Sequence, residues 1–157
     1  MKSTRDFVAT AYVVKDAKTL LILHKKLGLW LPPGGHIEQD ELPCDAVIRE
    51  VEEETGLKIK LFGNSTPVYD AGKPELKDVE MLAMPNHIQL EHIEPGHQHI
   101  DLVYIAKVIG GEENHRQEEA DDMKWFSNED LDREEISENV RHYGKIAISK
   151  VENLEVE

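Results

Sequence analysis

Three glutamates that stand close together, Glu50, Glu53 and Glu54, follow a short stretch that contains Gly34 and Gly35. If this part of the chain is helical, residues three and four positions apart lie on one face, so the carboxylates crowd together. Like charges at these spacings destabilise a helix by roughly 0.2–0.5 kcal/mol per pair, so helix stability gives no reason for the cluster. Mg²⁺ takes oxygen ligands and usually shares them with substrate phosphates, and it would remove the repulsion. The simpler alternative is a run of surface glutamates on a solvated helix.

The helix that must position these glutamates is predicted from Pro43 to Thr55. Pro43 suits the first turn because its missing N–H is not needed there, and Gly56 is placed to end the helix. On a helical wheel the glutamates share a face with Arg49 and Ala46, and we expect the small Ala46 side chain to leave room for ions and a diphosphate. An apolar stripe beside that face must be buried, and it consists of Cys44, Val47, Ile48 and Val51.

The segment from Gly35 to Leu57 reads GHIEQDELPCDAVIREVEEETGL and resembles the Nudix box. Every position that the box specifies matches, and both long gaps have the correct length, so chance agreement is a poor explanation. The matching residues are Gly35, then Glu41 after five positions, then after seven positions Arg49-Glu50, an apolar Val51, Glu53-Glu54, Gly56 and an apolar Leu57. The preceding LWLPPGG and the stretch around Trp125-Phe126 also follow the general layout of the family.

The resemblance implies a site for Mg²⁺, or for Mn²⁺ in its place, and a role for each matching residue. Glu50, Glu53 and Glu54 would bind the metal together with the backbone carbonyl of Gly35. Arg49 would orient the catalytic glutamates Glu50 and Glu53, since it lies four residues before Glu53, within pairing reach on a helix. Supporting roles in the loop and the packing are left for Glu41, Val51, Gly56 and Leu57.

The reaction that the resemblance implies is attack of water on phosphorus, which cuts the diphosphate linkage of a small nucleoside diphosphate derivative. A carboxylate must accept the proton from the water, and Glu53 is our first candidate. The later acids Glu118, Glu119 and Asp122 are alternatives, either as base or as a further metal ligand. Asp122 is shorter than the Glu that many relatives carry there, which weakens its case.

Two other classes of function compete with hydrolysis. A Nudix-like regulatory module would bind a nucleotide without cutting it, but such modules tend to lose box glutamates, and here all are present. A Nudix-type isopentenyl diphosphate isomerase would need a catalytic cysteine, and Cys44 lies inside the box helix, where it is misplaced for that role. The box does not choose among nucleoside triphosphates, dinucleoside polyphosphates, nucleotide sugars, ADP-ribose and RNA 5′ ends.

Four histidines fall within thirteen residues, from His87 to His99. Together with Asp101 they suggest zinc, but their spacing fits no compact structural zinc site and no cysteine accompanies them. Ordinary strand histidines are the simpler interpretation. Even so, His97, His99 and Asp101 share one face of a predicted strand and could line a substrate pocket.

Aromatic rings stack on bases in nucleotide sites, which makes Trp30, Tyr69 and Tyr104 candidates, with burial in the core as the alternative. The substrate contacts that we predict are Trp30, His99, Asp101 and Tyr104.

Apolar alternation and turn residues predict a chain rich in strands with two helices. Two prolines and two glycines predict an irregular loop over Trp30–Gly35, and a second loop is predicted over Gly63–Lys77. The predicted strands are Phe7–Val14, Leu20–Leu23, Leu57–Phe62, Val79–Ile93 with a break at Pro85-Asn86, His99–Ile109 and Met123–Phe126. A helical turn over Asn128–Leu131 and a helix over Ser137–Glu152 complete the chain. The fold that the resemblance implies is α/β, a Nudix-type α/β/α sandwich with a mixed central sheet, in a single domain over residues 1–157.

Composition narrows the partners and the setting. The chain has 157 residues and a formal net charge of −14, which argues against binding to a nucleic acid duplex because such binding needs clustered Lys and Arg. The acidic stretch Glu112–Glu138 is most simply a solvated surface, with a cation site as the alternative. No run of about 20 apolar residues and no leader-like start is seen, so we expect a cytoplasmic protein away from membranes. One cysteine permits no internal disulfide. Dimers are common in the family that the sequence resembles, so a homodimer is one possible state, but the sequence does not determine the oligomeric state.

Overall fold

Eight strands and two helices make up the part of the chain that the computed structural model describes, residues 2–62 and 78–156. In chain order they are β1 (Thr4–Lys15), β2 (Lys18–His24), β3 (Trp30–Leu31), β4 (Gly34–His36), α1 (Pro43–Thr55), β5 (Leu57–Phe62), β6 (His87–Glu94), β7 (His97–Gly111), β8 (Ala120–Phe126) and α2 (Glu138–Val156). A 3₁₀ turn at Asp130–Asp132 precedes α2. Within those residues no helix is long and apolar enough to cross a membrane.

The long strands β1 and β7 pair in parallel from Thr4 opposite His97 to Val14 opposite Lys107, and the other pairings are antiparallel. The free edge of β1 is shared, with β4 along its first half and β2 at its end. The free edge of β7 is shared in the same way between β6 and β5. The sheet therefore divides into two halves around one central pair of strands.

Alternate residues of β1 face opposite layers, as the two-residue period of a strand requires. Ala9, Ala11 and Val13 pack in one core cluster with Val47 and Val51 of α1. On the other face Tyr12 and Val14 pack in a second cluster, and their partners on α2 include Val140, Ile148 and Val151. The result is a helix on each face of a mixed sheet, so the predicted α/β sandwich is confirmed.

The predicted elements are correct in kind over most of the described chain, and α1 and β5 match in both bounds. The irregular loop predicted over Trp30–Gly35 is wrong, because Trp30–Leu31 and the start of β4 form short strands there. Strand structure over Val79–Ile93 is wrong in its first part, since β6 begins only at His87, after Pro85. Proline cannot donate to a strand ladder, which fits a start beyond it. The predicted loop Gly63–Lys77, with Tyr69, lies outside the described residues.

Three further elements differ from the prediction in their bounds. The strand predicted over His99–Ile109 is longer, because β7 begins at His97 and runs through Gly110-Gly111, where it pairs with the start of β5. The helical turn lies at Asp130–Asp132 rather than at the predicted Asn128–Leu131. The helix α2 begins one residue later than predicted and extends to Val156.

Candidate active site

The helix α1 begins and ends without side-chain caps. Leu42 precedes it in an extended conformation, and Pro43 occupies the first turn, where no N–H is needed. At the other end Gly56 has φ +77° and its N–H donates to the carbonyl of Glu52 at 2.8 Å. A Cβ on Gly56 would collide with the carbonyl oxygen of Glu112. Glycine therefore stops the helix at a fixed place and turns the chain into β5.

Arg49 pairs with three acidic residues, Glu41, Glu50 and Glu53. Its Nε and Nη2 donate to the two carboxylate oxygens of Glu41 at 2.7 and 2.8 Å, a bidentate pair. Its Nη1 donates to Glu50 at 2.9 Å and to Glu53 at 3.2 Å. Hydrogen bonding with Glu41, and then with Glu50, raises the pKa of Arg49, and the same guanidinium lowers the pKa of Glu41. Arg49 is thus fixed by the loop acid and positions two glutamates of the helix.

Glu50 lies directly against the backbone of Gly35 in β4. A Cβ on Gly35 would lie 2.5 Å from the carboxylate carbon of Glu50 and 2.7 Å from both of its oxygens. Burial raises the pKa of Glu50, although the hydrogen bond from Arg49 opposes this. The missing side chain of Gly35 is what lets a carboxylate and a backbone strand meet at this point.

Glu54 is the most deeply placed of the three glutamates, with 7% of its surface exposed. The N–H of Gly34 donates to its Oε2 at 3.0 Å. Burial raises the pKa of Glu54 to about 8, and the neighbouring carboxylates of Glu50 and Glu119 add to the shift. A buried carboxyl among other acids is stabilised either by a proton or by a cation.

The expectation that Ala46 leaves open space beside the glutamates is wrong. Ala46 is fully buried and packs with Val47 and Val51 in the core under α1. The helical wheel correctly predicts that the glutamates lie next to the apolar stripe of α1. The buried face of the helix is wider than predicted, because it also includes Ala46 and Glu54. Cys44, expected to be buried, is half-buried, and burial raises the pKa of its thiol.

Glu53 and Glu119 share one contact, with Arg116, whereas Asp122 has different partners. Glu53 is 45% exposed, and its Oε2 lies 4.0 Å from Nη1 of Arg116 in addition to the contact with Arg49. Glu119 lies 3.5 Å from the same Arg116 nitrogen and hydrogen-bonds to Glu54. Asp122 instead accepts the N–H of Met123 at 2.8 Å and pairs with Lys124 at 3.3 Å. Of the later acids, Glu119 is the one that the fold brings to the box glutamates.

A cleft of about 810 Å³ opens beside this cluster. Its size falls in the range of about 300–1,000 Å³ that holds small ligands. One wall carries the glycines of β4 with Glu50 and Glu54, and Lys25, Lys26, Glu118 and Glu119 also line the cleft. The same sheet continues the lining from β4 across β1 and β7 to β6, and the polar residues there include Thr10, Gln89, Glu91, His97, His99 and Asp101.

The predicted substrate contacts separate into two groups. His99 and Asp101 line the cleft, as their shared strand face predicts. Tyr104 does not, because it lies on the opposite face of β7, 3% exposed in the core under α1, so its prediction as a ring that stacks on a base is wrong. Trp30 packs edge-on against Phe126 with ring centroids 5.0 Å apart and is not part of the cleft lining among the described residues.

Asp101 and Glu91 form a buried acidic pair on the wall of the cleft. Asp101 is 2% exposed, and the hydroxyl of Thr10 donates to its two oxygens at 3.1 and 3.0 Å. Burial raises the pKa of both acids, and they share a hydrogen bond. Thr10, Glu91, Lys25 and Lys26 line the cleft but were not predicted from the sequence. Only Glu91 could have been, because the alternation along β6 places it on the same face as Gln89.

The comparisons with known proteins agree with this geometry. A family model described as the NUDIX domain matches residues 5–145. A solved structure of a NUDIX-family hydrolase from Clostridium perfringens is 37% identical, with a TM-score of 0.84 over 94% of this chain and 99% of that one.

Two curated relatives carry names of activities. A probable DHNTP pyrophosphohydrolase from Lactococcus lactis is 35% identical over 100 residues, which are 64% of this chain and 52% of that protein. An ADP-ribose pyrophosphatase from Methanocaldococcus jannaschii is 36% identical over 106 residues, 64% of this chain and 49% of that protein. The chain therefore spans about half the length of these relatives.

Proposed function

The chain belongs to the Nudix family, and from this premise we propose that it is a magnesium-dependent pyrophosphohydrolase that cuts the diphosphate linkage of a nucleoside diphosphate derivative. The observation that carries the proposal is the meeting of Glu50 and Glu54 with the glycine backbone of β4 at the wall of a cleft of nucleotide size. Glu53 extends the same helix face.

The donor set fits a hard divalent ion. Carboxylate oxygens of Glu50, Glu53 and Glu54 and the carbonyl of Gly35 are all oxygen donors, which Mg²⁺ prefers and Mn²⁺ also accepts. The burial of Glu54 beside the carboxylates of Glu50 and Glu119 is costly unless a proton or a cation offsets the negative charge. Bound Mg²⁺ would polarise the phosphoryl oxygens and neutralise charge on the leaving phosphate.

Residues of the chain would position the glutamates and accept the proton from the attacking water. Arg49 holds Glu50 and Glu53 in place through its fixed contact with Glu41. Glu119 lines the cleft beside Glu54, so we propose it as the acceptor of the proton from the attacking water. Glu53 is held by Arg49 and is not among the described residues that line the cleft, which suits it better to the metal site than to the role of base first assigned to it.

The substrate would lie across the cleft. Lys25 and Lys26 line it near the glutamates and would attract the phosphates. His99 and Asp101, on β7, would contact the rest of the substrate. The relatives named for DHNTP and ADP-ribose make these two compounds the first to test, since both contain a diphosphate linkage.

A substrate panel with Mg²⁺ tests the proposal. It would contain dihydroneopterin triphosphate, ADP-ribose, nucleoside triphosphates, dinucleoside polyphosphates, nucleotide sugars and capped RNA, scored for released phosphate or mononucleotide. We expect turnover of at least one member, loss on chelation, and a fall of roughly 10³-fold or more in Glu53→Gln. Glu52→Gln is the matched control, because Glu52 is exposed on the same helix. Tight binding of one member with turnover of none would instead favour a regulatory module.

We also propose a cytoplasmic homodimer. Phe7, Ile88 and Leu90 are 57%, 62% and 49% exposed on the apolar α1-side face of the β6 half of the sheet. A second copy would bury this face from water. Light scattering of the purified chain should give twice the monomer mass, and a monomer at all concentrations would contradict the proposal.

A further inference from the structure

A second cluster of ligand-type side chains lies apart from the glutamates, on the wall formed by the β4 and β6 half of the sheet. It consists of Asp6 on β1, His36 on β4, and His97 and His99 on β7. Nε2 of His36 lies 3.1 Å from Oδ2 of Asp6, and Nε2 of His97 lies 3.4 Å from the same oxygen. The ring of His99 lies 5.2 Å from that of His36 and 5.0 Å from that of His97.

The strand register brings these residues together from three separate parts of the chain. The parallel pairing of β1 with β7 places Asp6 directly opposite His99. The antiparallel pairing of β4 with β1 places His36 opposite Val8, one step along the same face as Asp6. Neither the pairing of Asp6 with His99 nor the position of His36 beside them can be predicted from spacing along the sequence. This is why the histidines matched no local zinc pattern.

One ligand atom from each of Asp6, His36 and His99 can be chosen so that all lie within 4.8 Å of one another. In a tetrahedral zinc site the ligand atoms lie about 2.0–2.1 Å from the metal, and so about 3.3 Å from each other. The separations of 3.1 and 3.4 Å between Asp6 and two histidines already have this length. His97 is not one of these three residues, but its Nε2 faces the same oxygen of Asp6.

We propose that Asp6, His36 and His99, with His97 as a fourth ligand, form a binding site for a single zinc-class ion. Imidazole nitrogen suits zinc and its neighbours in the transition series, whereas the oxygen-only glutamate site suits magnesium. The chain would therefore hold two sites of different metal preference on one cleft. This inference does not depend on whether the chain hydrolyses a diphosphate.

The ring of His97 is already oriented as in a metal ligand. Its Nδ1 lies 2.9 Å from the hydroxyl of Thr4, while its Nε2 faces Asp6. Ligating histidines commonly use their second nitrogen for such a contact, which fixes the ring direction.

The alternative is that His36 and His97 only form hydrogen bonds with Asp6, with no ion bound. Such bonds leave the ring of His99, 5.2 and 5.0 Å from the other two rings, outside the contacts of Asp6, whereas a shared ion would engage all of these side chains. Since His36, His97 and His99 line the cleft that also contains Glu50 and Glu54, the ion would add positive charge where an anionic group of a ligand can reach it.

Zinc titration of the untagged full-length chain by calorimetry tests this site, with excess Mg²⁺ present to occupy the glutamates. We expect one zinc per chain and a loss of affinity of roughly tenfold or more in His99→Asn and in Asp6→Asn. His92→Asn is the matched control, since His92 is an exposed strand histidine outside the cluster. Glu53→Gln should bind zinc like the wild type.

Cobalt absorption gives a second reading that does not rely on a variant folding normally. Co²⁺ bound in a tetrahedral nitrogen and oxygen site should give strong visible bands in the wild-type chain that added zinc removes. Absence of saturable zinc binding would overturn the proposal. So would zinc binding that Glu53→Gln abolishes and His99→Asn leaves unchanged, because the ion would then belong to the glutamate site.

Discussion

Arg49 illustrates how one residue organises the site. A guanidinium group has five N–H donors in a rigid fork, and each has an acceptor here: the Glu41 carboxylate twice, Glu50, Glu53 and the carbonyl of His36. Lysine has a single flexible ammonium and could not serve both the loop and the helix at once. The loop acid, the arginine and two of the box glutamates therefore act as one rigid unit.

Replacement of Gly35 by alanine should damage this unit specifically. The new methyl group would lie within 2.7 Å of the Glu50 carboxylate, which must then move away from the backbone of β4. We expect the rate of diphosphate hydrolysis to fall at least about tenfold, equivalent to about 1.4 kcal/mol. Gly110→Ala is the control, because a Cβ there meets Lys58 only at 3.9 Å or more. Equal rates in both variants would contradict a close Gly35–Glu50 contact.

Protonation of Glu54 should oppose metal binding. Burial raises its pKa to about 8 in the metal-free chain, so this group stabilises the fold at low pH and that stabilisation is lost as pH rises through about 8. A metal ion needs the charged form, so Mg²⁺ should bind more tightly at about pH 8.5 than at about pH 6.

Thermal melts with and without Mg²⁺ measure this linkage. The increase in melting temperature caused by Mg²⁺ should grow across that pH range in the wild type and in the exposed-site control Glu52→Gln. It should be small at every pH in Glu54→Gln. If the increase in melting temperature caused by Mg²⁺ did not vary with pH in the wild type, Mg²⁺ binding would not require the deprotonation of Glu54.

The predicted positions of the site residues are confirmed where one segment determines them, while their roles stay predictions. Placement of Glu50, Glu53 and Glu54 on one side of a helix follows from local spacing, and Gly35 follows from the box. The errors at Ala46 and Tyr104 have a different cause. Both side chains pack in the core between α1 and the sheet. Whether a residue is buried there depends on the distant elements that pack over it, and its own segment does not contain that information.

At the scale of elements, the end of α1 fixes where the glutamates stand relative to β5. Gly56→Ala would place a side chain in a left-handed conformation, which costs about 1–2 kcal/mol, and would also press against the carbonyl of Glu112. Gly28 has a similar φ of +64° but open space around its Cβ position, so Gly28→Ala isolates the conformational cost.

Urea unfolding should therefore show a larger loss in Gly56→Ala than in Gly28→Ala, by about 1 kcal/mol or more. Hydrolysis should also fall in Gly56→Ala as the last turn of α1 shifts. Equal stability losses in the two variants would mean that the contact with Glu112 relaxes without cost and that the helix end is not fixed by it.

The elements themselves were predictable in proportion to how local their causes are. The helix α1 has a proline at its start, a glycine at its end and a clear apolar stripe, and both bounds were predicted. The short strands β3 and β4 carry no such signal, because they exist through pairing with β2 and β1. Gly34, one of the glycines from which an irregular loop was predicted, packs against the backbone of Ala9 and Thr10, where a Cβ would not fit.

At the scale of the molecule, the central parallel pair β1 and β7 does what no single segment can. It joins residues about ninety positions apart, so that Thr10 supports Asp101 and Asp6 meets His99. The mixed sheet was expected from family resemblance, but its register could not be read from the sequence. The part of the cleft lining on β1, β4 and β7, and with it the histidine and aspartate site, follows from that register.

Manganese binding, followed by the electron paramagnetic resonance signal of the free ion, tests most directly whether α1 and β4 hold a divalent cation. We expect saturable binding in the wild type and in Glu52→Gln, and an affinity lower by roughly tenfold or more in Glu53→Gln and Glu54→Gln. Binding that is equally strong in all four proteins would contradict the claim that these glutamates form the metal site.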